Sequence, residues 1–123
     1  MENLTLQPRR WYAMDYYFSK DGKRHASPIW VTAVTPKRSG AGELALQFHH
    51  ANYPEGVQDK IYDLKILRRT EGLILAAHIC DSQPDSIVIV TEITAEWVRL
   101  HWPHYEPNRD LQSWCDEAIG RPR

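Results

Sequence analysis

The chain has 123 residues, of which 42% are hydrophobic and 25% charged, and its net charge is −1 at pH 7. This length fits one domain over residues 1–123, whose core is large enough to be stable without disulfides or a bound metal. The composition argues against a disordered chain. The near-neutral charge excludes a general attraction to nucleic acid or to an anionic membrane surface, and no run of about 20 apolar residues is present for a membrane span.

The start of the chain and its cysteines indicate a compartment. Residues 1–9 are expected to form a loose lead-in, and they contain no apolar stretch of signal-peptide length. Cys80 and Cys115 lie far apart and match no metal or redox spacing. We therefore expect a cytoplasmic protein with two reduced, buried cysteines and no cofactor.

Two predicted strands, Trp11–Ser19 and Arg24–Thr35, form a hairpin around Asp21-Gly22. An Asp-Gly pair suits the left-handed backbone of a tight turn, which sets Lys20 opposite Lys23. Both faces of this hairpin are rich in aromatic side chains, so neither is typical of a solvated surface. One face holds Tyr12, Met14, Tyr16, Phe18, His25, Ile29 and Val31, and the other holds Trp11, Ala13, Asp15, Tyr17, Ala26, Pro28, Trp30 and Thr32.

Four more strands are predicted after the hairpin. Glu43–Asn52 and Lys60–Arg69 alternate apolar and polar residues, which is typical of strands with one buried face. Leu73–Cys80 and Ser86–Ile93 are apolar on both faces, and such strands are usually covered on both sides. The sheet is therefore expected to carry a cover over its outer face.

The turn at Thr70-Glu71-Gly72 leaves two loop lengths open. A three-residue loop places His78 on the same face as Tyr62, Leu64 and Ile66. A two-residue loop places His78 on the opposite face, because a slip of one residue exchanges the two faces of a strand.

Helical patterns occupy the end of the chain. Residues 108–120 carry apolar residues at i, i+3 and i+4 spacing, with Asn108 as N-cap and Asp110 in the first turn. A shorter helix from Thr94 as N-cap to about His101 is favoured over an extension of the preceding strand. The predicted fold is α+β: a mainly antiparallel, strongly twisted sheet of about six strands, forming a half-barrel or small barrel, covered by the C-terminal helix.

Motifs for metal binding and catalysis are weak. The six histidines show no ligand spacing, and the neighbours His49 and His50 point to opposite faces of one strand. The sequence contains no nucleophile elbow, P-loop or dinucleotide fingerprint. We therefore predict no metal site, and catalysis is the less favoured class of function.

The candidate ligand-binding residues lie on one hairpin face: Trp11, Asp15, Tyr17 and Trp30. A carboxylate among aromatic rings attracts a cationic or hydroxylated ligand. The structural alternative is that Asp15 only forms a hydrogen bond with a neighbouring group. Most buried polar residues are hydrogen-bonded in this way and have no ligand. The leading hypothesis is a non-catalytic binding module for a small molecule or a protein partner, including a second copy of the chain as a homodimer.

Two rival functions remain open. One is a small cavity enzyme that uses Asp15 with His50 or His78 as an acid–base pair. The other is a single-stranded nucleic-acid binder that combines basic residues with aromatic rings. Charge elsewhere in the chain offsets the basic set and disfavours this second function. The basic residues are Arg9, Arg10, Lys20, Lys23, Arg24, Lys37 and Arg38.

Overall fold

The structure, a computed structural model, divides the chain into two compact units, Met1–Glu92 and Ile93–Arg123. The described residues are 2–17, 24–37, 42–50, 60–79, 86–101, 104–111 and 113–115. For residues 16, 17, 24–26 and 50, which lie in strands, the structure describes the backbone but not the side chains. Residues 18–23, which include the predicted Asp21-Gly22 turn, and residues 51–59 lie outside the described residues. The prediction of one domain stays a prediction.

The first unit is a closed antiparallel barrel of six strands. Its strands are β1 (Arg10–Tyr17), β2 (Arg24–Pro36), β3 (Leu44–His50), β4 (Lys60–Arg69), β5 (Leu73–His78) and β6 (Ser86–Glu92). Each strand pairs with its neighbour in the chain, and β6 returns to pair with β1. The predicted six-strand antiparallel sheet is confirmed, and closure leaves no strand edge unpaired, so the half-barrel alternative is wrong.

The inner face of the barrel forms the hydrophobic core. Alternate residues of each strand point inward, because successive side chains of a strand lie on opposite faces. The six-strand interior is filled by these side chains, so the barrel is a packed core. The core residues on the strands are Tyr12, Met14, Ile29, Val31, Leu46, Phe48, Leu64, Ile74, Ala76, Val88 and Val90.

The N-terminal segment also belongs to this core. Leu4 and Leu6 are buried in it, and the Leu4 backbone N donates to Thr70 O at 2.7 Å. The hydroxyl of Tyr12 accepts a hydrogen bond from the Gln7 backbone N at 2.9 Å. The expectation of a loose lead-in is therefore corrected: the described residues 2–9 form no strand or helix, but Leu4 and Leu6 anchor them at one end of the barrel.

The register of the first hairpin differs from the prediction by two positions. Lys20 opposite Lys23 would place Tyr12 opposite Val31, whereas Tyr12 pairs with Ile29. An even offset leaves the described side chains of both strands on their predicted faces. The position of β1 also depends on β6, which pairs with its other edge. The sequence of the hairpin turn carries no information about that second pairing.

The β4–β5 hairpin combines a short turn with a bulge. The Thr70 backbone N donates to Leu73 O at 2.8 Å, so the chain reverses over two residues. The register then shifts by one residue at Leu67, and beyond this bulge His78 pairs with Leu64. His78 therefore lies on the inner face, the outcome predicted for the longer loop, and the bulge rather than the loop length places it there.

The second unit contains the predicted short helix, α1 (Ala95–His101). Thr94 is its N-cap, because its Oγ1 accepts a hydrogen bond from the Trp97 N at 3.1 Å. The carbonyl O of Thr94 accepts the first hydrogen bond of the helix, from the Val98 N at 3.0 Å. Val98 is fully buried. The helix alternative for this segment is confirmed.

A second helical segment begins later than predicted. Leu111 and residues 113–115 are helical, and Asp110 Oδ2 accepts a hydrogen bond from the Ser113 N at 2.9 Å. Asp110 is therefore the N-cap, and the prediction of Asn108 as the cap is wrong. Residues 116–120 lie outside the described residues, and the covering of the sheet by this helix stays a prediction. Cys115 is a buried thiol, as expected; Cys80 is not among the described residues.

Candidate functional site

The structure places the predicted aromatic site on the outer face of the barrel. Trp11 pairs with Trp30 in the β1–β2 register, and their ring centroids are 5.2 Å apart at an interplanar angle of 54°. Asp15 lies four positions along β1 on the same face, opposite Ala26. Tyr17 pairs with Arg24 further along β1, and its side chain is outside the description.

Both indoles of this site are buried. Trp11 is 5% exposed and Trp30 is 8% exposed, whereas Asp15 is half-buried. A ligand that stacks on an aromatic ring needs a ring face that is open to solvent. The two tryptophans therefore act as packing residues in this structure, and their role in ligand binding stays a prediction.

The proposed acid–base pair of Asp15 with His78 is not assembled. Asp15 pairs with Ile89 on the outer face, while His78 pairs with Leu64 on the inner face, so the barrel wall separates the two groups. His50 occupies an inner strand position opposite Ile29, and its side chain is outside the description. His78 therefore does not share a face with Asp15, and the pairing of Asp15 with His50 stays a prediction.

The predicted basic patch is only partly described. Arg9 and Arg10 are exposed at the start of β1. Lys37 forms an ion pair with Asp63, with its Nζ 2.7 Å from Oδ2, and this pair neutralises its charge. The remaining members are absent from the described side chains: Lys20, Lys23, Arg24 and Arg38.

A polar site that was not foreseen lies at one end of the inner face. The barrel interior is apolar over most of its length and becomes polar where β4 and β6 begin and β5 ends. We call this region the polar end. Its described side chains are those of Ser27, Lys60, Tyr62, His78 and Ser86.

Two rings form the centre of the polar end. The rings of Tyr62 and His78 are stacked, with centroids 3.8 Å apart and an interplanar angle of 13°. Tyr62 also meets the fully buried Phe48 edge to face at 4.9 Å. Phe48 packs against the stack from the core. Tyr62 and His78 are only half-buried, so part of the stack is exposed to solvent.

The polar end is rich in hydrogen-bond donors and contains no carboxylate among its described side chains. Lys60 is a cation, Ser86 carries a hydroxyl group, and the imidazole of His78 donates through at least one ring nitrogen. The Ser27 hydroxyl is buried and donates to Pro28 O at 3.1 Å. Leu4 and Leu6 pack into the core at the opposite end of the barrel. An incoming molecule would therefore meet donors at one end and an apolar closure at the other.

The sequence held a signal for this site. The first residue of β4 is Lys60, the last of β5 is His78 and the first of β6 is Ser86. In consecutive antiparallel strands these three positions meet at the same end of a sheet. The signal was missed because His78 could be assigned to the inner face only with the bulge at Leu67 known.

Metal ligation finds no support within the described ranges, where no three His, Cys, Asp or Glu side chains are grouped. Within the same ranges, no helix has the length and apolar character needed to cross a membrane.

Comparisons with known proteins assign no family to this chain. No protein-family model, no curated protein and no solved structure matches it.

Proposed function

We propose that this protein is a non-catalytic binding module that takes a small ligand at the polar end of its barrel. The stack of Tyr62 on His78 carries the proposal: two flat, polar rings lie half-buried at the end of an otherwise apolar interior. Because side chains fill the interior, a ligand would sit on the rim rather than inside the barrel. Barrel mouths are common sites for such ligands.

The donors at the polar end suggest the chemistry of the ligand. The Lys60 ammonium and the Ser86 hydroxyl suit an anionic group such as a carboxylate or phosphate. The half-exposed ring stack suits a planar, aromatic part of the same molecule. The ligand class is therefore a small aromatic anion.

The non-catalytic interpretation is supported by the separation of Asp15 from His78. Acid–base catalysis needs two titratable groups within reach of one substrate. The described polar end offers His78 without a carboxylate beside it, and Asp15 lies on the other side of the barrel wall. Binding without chemistry requires no such pair.

The experiment compares two lysines of the same strand. A panel of aromatic carboxylates and nucleoside monophosphates is titrated against the protein, with NMR chemical shifts as the readout. Lys60→Met is expected to lower the affinity about tenfold, the effect of one charge-assisted hydrogen bond of ~1.5 kcal/mol. Lys65→Met, on the outer face of β4, is expected to leave the affinity unchanged.

Two results would contradict the proposal. One is an absence of saturable binding by every member of the panel. The other is an equal loss of affinity in Lys60→Met and Lys65→Met, which would indicate a general charge effect rather than a site at the polar end.

A further inference from the structure

The N-terminal segment, residues 2–9, lies on the barrel in the way that an extended peptide lies in a binding groove. Leu4 and Leu6 are buried in the core, whereas Thr5 and Gln7 are exposed. Such alternation is typical of an extended backbone, since successive side chains then point to opposite sides. The described residues of the segment form no strand or helix, so the segment is held by its contacts with the barrel.

Backbone groups of the segment also bond to the barrel. The Leu4 N donates to Thr70 O at 2.7 Å, and the Gln7 N donates to the Tyr12 hydroxyl at 2.9 Å. The same hydroxyl donates to the Thr5 carbonyl O at 3.4 Å. The barrel therefore recognises an extended backbone with two leucines at alternate positions, and every copy of the chain carries a segment with these features.

A strained residue connects the segment to β1. Arg9 has a φ of 60°, and among the described residues no other non-glycine residue has a positive φ. This backbone is unfavourable for a residue with a Cβ atom, because the Cβ comes too close to the following carbonyl oxygen. The Arg9 N donates to Val31 O at 2.7 Å, which fixes the residue against β2. Pro8 restricts its own φ and favours an extended Gln7, so the reversal of the chain is concentrated at Arg9.

We propose that the N-terminal segment exchanges between two copies of the chain, so that the leucines of each copy enter the barrel of the other. An extended Arg9 directs the segment away from its own barrel and removes the left-handed strain from both chains. The contacts of Leu4 and Leu6 form again in the partner barrel, because the two barrels are identical. The partner of this end of the barrel is therefore a second copy of the chain.

The tether between the segment and β1 sets the concentration at which exchange competes. A short linker holds the segment at its own barrel with an effective concentration on the order of 1 mM. Relief of strain at both hinges favours the dimer by about tenfold or more. We therefore expect the dimer at protein concentrations of about 0.1 mM and above. The polar end lies at the other end of the barrel, so exchange leaves the proposed ligand site open.

The test compares substitutions at Arg9 by size-exclusion chromatography with light scattering, at protein concentrations up to about 1 mM. Arg9→Val is expected to strengthen the dimer about tenfold or more, because a β-branched residue is strongly disfavoured at positive φ. Arg9→Gly is expected to weaken the dimer about tenfold or more, because glycine adopts this backbone without strain. Arg10→Val is the matched control, since it removes the same charge at an exposed position within β1. Its dimer is expected to match that of the wild type within about twofold.

A second measurement identifies the surface through which the copies associate. Isotope-labelled and unlabelled protein are mixed, unfolded and refolded together, and the mixed dimer is studied by NMR. Nuclear Overhauser contacts are expected between the Leu6 methyl groups of the labelled copy and core side chains of the unlabelled copy. The Leu4 amide is expected to stay protected from hydrogen exchange in monomer and dimer alike, because Thr70 O accepts its hydrogen bond in both.

Three results would overturn the proposal. One is a wild-type protein that stays monomeric up to about 1 mM. Another is an equal dimer fraction in Arg9→Val, Arg9→Gly and Arg10→Val. The third is a dimer without contacts from Leu6 to the other copy, which would show that the copies associate through a different surface. If thermal unfolding shows that Arg9→Val does not fold, the comparison of Arg9→Gly with the wild type decides the question.

Discussion

The carboxylate of Asp63 occupies the space that a side chain at position 42 would need. A Cβ atom built on Gly42 would overlap the Asp63 side chain. The same carboxylate accepts a hydrogen bond from Lys37 Nζ at 2.7 Å, and its Oδ1 atom is buried with no hydrogen-bond partner among the described residues. The connection between β2 and β3 thus meets β4 through a close approach that glycine allows.

Replacing Gly42 by alanine should therefore destabilise the barrel. The new methyl group must displace Asp63, which also breaks the ion pair with Lys37, and overpacking of this kind costs about 1–3 kcal/mol. Gly72→Ala is the matched control, because a Cβ at position 72 meets nothing within 4 Å. Urea unfolding measures both variants, and equal free energies of unfolding would show that Asp63 moves aside without cost.

The Trp11–Trp30 pair should contribute to stability rather than to ligand access. Trp30 is 8% exposed, and truncation of a buried tryptophan to alanine costs about 3–5 kcal/mol. Ile61→Ala, at a residue that is 64% exposed, is expected to change stability by less than about 0.5 kcal/mol. A Trp30→Ala protein as stable as the wild type would show that the indole is not a packing group, and would favour the predicted ligand site on this face.

The strands and their faces could be predicted because alternation is a local property. The pattern at Lys60–Arg69 predicts the bounds that β4 has in the structure. The inward positions of Tyr12 and Met14 also follow from alternation, and they survive a register error of two positions. Local chemistry likewise located the start of α1, where Thr94 is the obvious cap.

Barrel closure and the polar end could not be predicted from the same patterns. Closure depends on the pairing of β1 with β6, strands that lie far apart in the chain. The inner position of His78 depends on a bulge at Leu67, a residue with no distinguishing feature in the sequence. Locating the polar end therefore requires the register of the whole sheet. The aromatic site that the sequence predicts requires only the register of the β1–β2 hairpin.

The second helical segment tests a choice between two capping residues. Asn108 and Asp110 are both good N-cap types, and the structure selects Asp110 through its hydrogen bond from the Ser113 N. Asp110→Ala is expected to destabilise the segment by about 1 kcal/mol. Asn108→Ala is expected to have an effect below about 0.5 kcal/mol. Amide hydrogen exchange at Ser113 and Trp114 provides the measurement, and faster exchange in Asn108→Ala instead would place the cap two residues earlier.

The hydroxyl of Tyr12 makes the anchoring of the N-terminal segment dependent on pH. It accepts a hydrogen bond from the Gln7 N at 2.9 Å and lies 3.4 Å from the carbonyl O of Thr5 as a donor. Burial raises the pKa of Tyr12 above its ordinary value of 10.0. The unfolded chain therefore releases this proton at a lower pH than the folded protein does. The stability gained from a neutral Tyr12 is present below the unfolded pKa, and it is lost as the pH rises through the folded pKa.

Tyr12→Phe isolates this contribution from the other titrating groups. At pH 8 the variant is expected to be less stable than the wild type by about 1 kcal/mol, because the Gln7 N loses its acceptor. Above pH 10, ionisation of the unfolded wild type should narrow the difference, since phenylalanine cannot titrate. Thermal unfolding of both proteins at a series of pH values measures the gap. A gap that stays constant from pH 8 to pH 11 would show that the Tyr12 hydroxyl titrates alike in the folded and unfolded chains.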